Sequence, residues 1–321
     1  MKKIILVFSV ILFFVACTNN DGNKQQSKEI SNNSEKKSSS KEFSVYDSYQ
    51  ELENLFYKDG WSPNIAYFDT YQSQELWYNK AKTNLIQFFD SIYPNKNLTD
   101  EEKVSELIDQ MREAVESDKL DGSPGGIASH FCHPLQTSYL RYDAIENTIK
   151  LVKKDSSFIN EVSAWEKLYN AMEDFIHLFV WTDSGGGSIA ISATCASLTD
   201  ILKDRIHNIE NIIKLYEVEH SIRITDYKNA RSLFEREINK QIKNCLYRME
   251  KYISGEGSGI LTLEDKREAE QNLNEEKIKV LKTLDNWIKQ RHICERDNKE
   301  ITFLTHYLIK DLSTIIIGLD V

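Results

Sequence analysis

The chain has 321 residues, with 40 Lys and Arg against 50 Asp and Glu, a formal net charge of −10. That balance excludes a nucleic-acid binder, because phosphates demand Lys and Arg; it suits an acidic surface or a cationic partner drawn in by long-range attraction. Hydrophobic residues make up 40%, enough for a core in one large domain or two or three small ones.

At the N-terminus, Lys2 and Lys3 precede an apolar run from Ile4 to Val15 that only Ser9 interrupts. A charged start, an apolar stretch of about a dozen residues and a small residue before a cut describe a signal peptide. The stretch is shorter than the roughly 20 residues of a spanning helix. Ala16 followed by Cys17 resembles the lipobox of bacterial lipoproteins, with Phe14 where Leu is usual. The resemblance implies cleavage after residue 16, a diacylglycerol on the Cys17 thiol and an acylated amino group, and several acyl chains anchor durably where one does not. Loss of Lys2 and Lys3 takes the net charge from −10 to −12. Thr18, where an Asp would retain the protein at the inner membrane, points to the outer membrane of a bacterial envelope.

Residues 18–42 are mostly Ser, Asn, Lys, Gln and Glu, without an aromatic. Such composition cannot offset chain entropy, so 17–42 reads as a flexible tether. The folded part follows, as a helical domain over 43–217 and a C-terminal helical unit over 218–321. Apolar residues recur at helical spacing throughout it. Leu76, Leu85, Ile86, Phe89 and Ile92 describe a helix ending near Pro94. Thr99 with Asp100, Glu101 and Glu102 reads as a capped, acid-rich start, continued by Val104, Leu107, Ile108 and Met111. Further helices are predicted over 139–152, 157–180, 192–217, 226–253, 263–294 and 301–317. No segment alternates at period two long enough to be a strand. The fold class is all-α: a helical bundle or a short array of repeated units.

An internal repeat supports the array. Residues 121–151 and 183–215 each contain an acidic residue, a Gly-rich turn, small residues, a cysteine with Leu three further on, and a closing IEN-x-IKL. Upstream, the helix of Val104, Leu107 and Met111 corresponds to that of Val162, Trp165 and Tyr169. Repetition at this scale means one supersecondary unit used twice, each completing its core against a neighbour. With Cys17 lipidated, Cys132, Cys195, Cys245 and Cys294 remain, an even number that allows two disulfides in three pairings.

The segments SAWEKLYNAMEDF and GGGSIAISATCASLTDILKDRIHNIENI are similar to the C-terminal half of the lysozyme-inhibitor-like (LprI-like) family of exported proteins. The matching residues are Trp165, Tyr169, Gly186, Gly187, Ser188, Cys195, Leu198, Thr199 and Arg205, and Trp287, Arg291 and Cys294 form a weaker third match. The likeness is best over 130–217 and looser over 226–317. It departs from the family in having no cysteine near Met172 or Glu173, which leaves the partner of Cys195 open. The resemblance implies a Cys245–Cys294 disulfide, a helical envelope protein, and in some members inhibition of lysozyme. Trp165 and Trp287 are expected to anchor the core, and Arg205 to bond a carbonyl at a loop or helix end.

His130, Cys132 and His133 lie within four residues, but structural zinc wants four ligands at paired spacings, and no metal or other cofactor is expected. The Gly loops at 122–126 and 184–188 lack the Gly-Lys-Ser/Thr ending of a P-loop, so they read as turns. No Gly-x-Ser-x-Gly or His-Glu-x-x-His is present, and no nucleophile has an identifiable base. The chain is therefore expected not to be an enzyme. The expected activity is binding of a cationic protein such as lysozyme, with Asp183, Gly186, Gly187, Ser188 and Arg205 as contact residues. The alternative is a structural or accessory envelope lipoprotein.

Overall fold

The structure, a computed structural model, describes residues 43–45, 48–56, 68, 70–120, 127–184, 188–215, 227–256 and 261–295, with backbone alone at 118–120, 127–133, 184, 188–192, 215, 227–230, 233, 255–256 and 292–295. Cys17, the tether and the helix predicted over 301–317 lie outside them. Among the described residues there are eight α-helices and no strand: α1 Tyr49–Phe56, α2 Tyr71–Ile92, α3 Asp100–Leu120, α4 Ile127–Lys154, α5 Ile159–Ser184, α6 Ser188–Leu215, α7 Tyr227–Lys251 and α8 Leu263–Glu295.

Helix starts follow local chemistry. Thr70 caps α2, its Oγ1 accepting from the Ser73 N–H while Ser73 Oγ accepts from the Thr70 N–H. Thr99 caps α3 as its sequence predicts: Glu102 Oε2 accepts from the Thr99 N–H at 2.8 Å and Thr99 Oγ1 from the Glu102 N–H. Thr262 and Asp265 repeat the arrangement at α8. Each reciprocal pair satisfies backbone donors that the first turn leaves orphaned. Asp155 accepts from the Ser157 N–H to start a one-turn 3-10 segment, Ser156–Phe158, before α5.

The predicted helix over 139–152 starts earlier than expected. Helix α4 begins at Ile127 and runs through Pro134. A proline inside a helix removes one ladder bond and costs about 3 kcal/mol, which burial of Leu135, Tyr139, Tyr142, Ile145 and Leu151 offsets at roughly 1.5–3 kcal/mol for each large apolar side chain.

Helix α4 packs most extensively on α6, and α5 on α8. At the α4–α6 contact the side chains are small and polar: Thr137 Oγ1 donates to the Cys195 carbonyl at 3.3 Å and lies 3.5 Å from Thr199 Oγ1. Helices α5 and α8 run antiparallel, with Trp165 edge-on to Trp287 at 5.5 Å. Both indoles are buried, as expected of core anchors. The described residues from Phe43 onward form one compact unit, and α8, beyond residue 218, shares its core with α5.

The Cys245–Cys294 pair is not formed. Cys245 is a free, buried thiol, as is Cys195. The reason is helix register. Helices α7 and α8 are antiparallel, joined by Arg231–Asp285, Asn239–Lys277 and Glu250–Lys266. That register sets Cys245 opposite the part of α8 near residue 271. Cys294 stands roughly 23 residues further along, about 35 Å at 1.5 Å per residue, far beyond the usual 4.4–6.8 Å between bridged α-carbons.

Candidate functional site

The inward side of α5 carries Glu161, Trp165, Glu166 and Tyr169, all buried. Glu161 accepts from both Nη atoms of Arg205 on α6, at 2.8 and 3.0 Å, from Trp287 Nε1 at 2.7 Å and from Arg291 Nη1 at 3.1 Å, both on α8. Arg291 Nη2 also donates to Asn208 Oδ1 at 2.9 Å. Burial alone would push the Glu161 carboxyl up, but the Arg205 and Arg291 guanidiniums outweigh it and hold it well below the usual carboxylate range. One turn on, Arg141 of α4 pairs with Glu166.

Each arginine also lies over an aromatic face, Arg205 on Trp165 at 4.7 Å and Arg141 on Tyr169 at 4.0 Å. Arg205 is therefore not a contact residue for a partner, nor does it cap a helix end. It is fully buried: the bidentate carboxylate and the indole face match its charge and both Nη atoms, while its Nε has no hydrogen-bond partner among the described residues. Its counterpart Arg141 was legible from the repeat, since each arginine stands four residues before the IEN triplet.

Of the other expected contact residues, Asp183 sits at the far end of α5. Asp183 Oδ1 accepts from Arg248 Nε at 2.6 Å, and the Asp183 side chain keeps only 23% of its exposure. Cys245 is beside this pair, and burial, then the Asp183 charge, pushes its thiol up to about 12. Gly186 and Gly187 lie outside the described residues, and Ser188 is placed by its backbone alone, as the first residue of α6. Among the described residues no group of three or more His, Cys, Asp or Glu could hold a metal; His130, Cys132 and His133 are on the first turns of α4, where only the backbone is described. No described helix is long and apolar enough to cross a membrane.

A concave site opens elsewhere, between α2, α3 and α4, with a volume of about 290 Å³. Tyr78 and Tyr142 stack at 4.7 Å in its wall, and the Tyr78 hydroxyl donates to Glu146 Oε1 at 3.2 Å. Lys82 Nζ pairs with Glu101 at 2.8 Å, Arg112 Nη2 with Asp143 at 2.6 Å, and Lys150 Nζ with the other Glu146 oxygen at 3.1 Å. Val104 and Ile108 of α3 supply the apolar part of the lining. Burial pushes the Asp143 carboxyl up to about 6, against the opposing pull of Arg112. A concave site holding a carboxyl with a raised pKa is a candidate binding site. Its charges come from three helices and read singly as solvated positions, so no common signal marks them along the chain.

The arrangement can bind and orient; its tyrosines, carboxylates and cations form closed hydrogen-bonded pairs. No protein-family model, no curated protein and no solved structure matches the chain.

Proposed function

We propose that the chain is a binding protein anchored in a bacterial envelope through lipid on Cys17, and that it captures a cationic protein of the lysozyme type. The observation that carries this reading is the outer face of α3, beside the cleft. Helix α3 holds eight Asp and Glu against three Lys and Arg. Asp100, Glu102, Asp109, Glu113 and Glu116 are all exposed on it, outside the cleft lining. Lys103 and Arg112 pair with Asp100 and Asp109, but the face stays net negative, and a net-acidic ridge steers an oppositely charged partner and raises its association rate, an effect that salt weakens. The resemblance over 130–217 supports lysozyme as the partner, and α3 replaces the Gly-rich loop as the contact surface.

The test is an inhibition assay of lysozyme with the full chain, beside an equally acidic unrelated protein. Inhibition near one-to-one stoichiometry by the chain alone is expected. No inhibition at large excess would overturn the reading and leave the accessory envelope lipoprotein as the survivor.

A further inference from the structure

We propose that the cleft between α2, α3 and α4 binds a neutral saccharide unit. The juxtaposition that points to it is a set of mutually neutralised charges around an apolar strip. Lys82 is matched to Glu101, Arg112 to Asp143, and Glu146 to the Tyr78 hydroxyl and Lys150. A charged ligand would have to compete with the Arg112–Asp143 pair, in which Asp143 is the sheltered partner, and leave one of the two unmatched; the Lys82–Glu101 and Lys150–Glu146 pairs are more exposed and open at lower cost. A neutral ligand leaves every pair intact.

The pairs nonetheless keep hydrogen-bonding capacity. A carboxylate offers about four acceptor sites, a guanidinium five donors and an ammonium three, and each ion pair uses only a fraction of these. Hydroxyl groups donate and accept through the same atom, so a polyhydroxylated ring can bridge a carboxylate and a cation that are already bonded to each other. Val104 and Ile108, buried on α3, give the C–H face of such a ring an apolar strip to pack on. The volume, about 290 Å³, lies just below the roughly 300–1,000 Å³ of small-molecule sites, a size for one ring rather than a long chain. This inference does not rest on capture of a cationic protein: the outer face of α3 and the cleft are separate surfaces, and loss of one activity leaves the other measurable.

The experiment titrates the full chain with glucose, N-acetylglucosamine and the N-acetylglucosamine disaccharide, with arginine and inorganic phosphate as charged controls. The readouts are calorimetry and the fluorescence of Trp77, whose ring lies 6.4 Å from Tyr142. Saturable binding of at least one saccharide at millimolar concentration or below is expected, with neither charged control competing. Ser105→Trp places a bulky group at an exposed position of the cleft lining, and should weaken binding at least tenfold with an unchanged thermal midpoint. Glu101→Gln, which leaves Lys82 without its partner, should weaken it several-fold, and decides the matter if Ser105→Trp alters folding. No saturation at tens of millimolar, stronger binding of arginine or phosphate than of any saccharide, or wild-type affinity in the folded variants would each overturn the proposal.

Discussion

Arg291 and Glu161 stand 130 residues apart in the chain and meet at 3.1 Å inside the core, where Arg205 shares the same carboxylate. Removing one partner from a buried charge cluster leaves the others uncompensated, at about 3–5 kcal/mol. Glu161→Ala, which orphans two guanidiniums and the Trp287 N–H, should therefore lower the free energy of unfolding by about that amount. Arg291→Met should lose less, because Arg205 still satisfies Glu161. Urea midpoints of the two variants give the comparison. A loss under about 1 kcal/mol for Glu161→Ala, the range of exposed pairs, would contradict the buried cluster.

Glu173 contributes a pH dependence of the opposite sign to that of Glu161. It is buried on α5, and burial pushes its carboxyl from 4.5 up to about 7, with Arg141 opposing. A carboxyl raised in the folded state holds its proton there more tightly than in the unfolded chain. The stability it contributes is complete below pH 4.5 and is lost as pH rises through 7, by at most about 3 kcal/mol. The Glu161 contribution, from a lowered carboxyl, is present above 4.5 and disappears only in acid. Glu173→Gln should flatten the decline between pH 5 and 8 in thermal midpoints. A wild-type protein equally stable at both pH values, with no change in the variant, would exclude the assignment.

The thiols report on helix register. Burial pushes both Cys195 and Cys245 up to about 12, so each is almost wholly protonated at pH 8 and shielded from reagents. Iodoacetamide should leave both unmodified in the native protein and alkylate both after denaturation without reductant, as peptide mass spectrometry would show. A Cys245–Cys294 linked peptide would overturn the antiparallel register of α7 and α8.

The difference between what could and could not be read from residues alone follows from this register. Helices and caps are local, so Thr99 and Glu102 announced α3 three residues apart. The start of α4 was hidden because the Gly-rich run before it and Pro134 within it both signal chain breaks, which tertiary burial overrides. The cysteine pairing came from family likeness, and likeness carries no information on which helix turn faces which. Glu161 shares one helical face with Trp165, Leu168 and Met172, and an acid on an apolar face was a usable signal for a buried partner. The cleft had none, because Tyr78, Arg112 and Asp143 converge only once three helices have packed.

Where a cationic partner docks can be separated from whether it docks. Asp183 is held by Arg248 at 2.6 Å, so Asp183→Lys places two cations together at the junction of α5 and α7 and should act mainly on stability. Among the described residues, the exposed acids Glu113 and Glu116 of α3 make no such closed pair, and reversing them alters the field a partner meets without disturbing the core. If α3 is the docking ridge, Glu113→Lys with Glu116→Lys should slow lysozyme association several-fold at low salt, leave dissociation nearly unchanged and reduce the salt dependence of the rate. Asp183→Lys should lower the thermal midpoint while leaving the association rate close to wild type. Stopped-flow or surface-binding kinetics across a salt series measure both. The reverse pattern, with association slowed by Asp183→Lys and indifferent to the α3 pair, would return the contact surface to the Gly-rich end of α5.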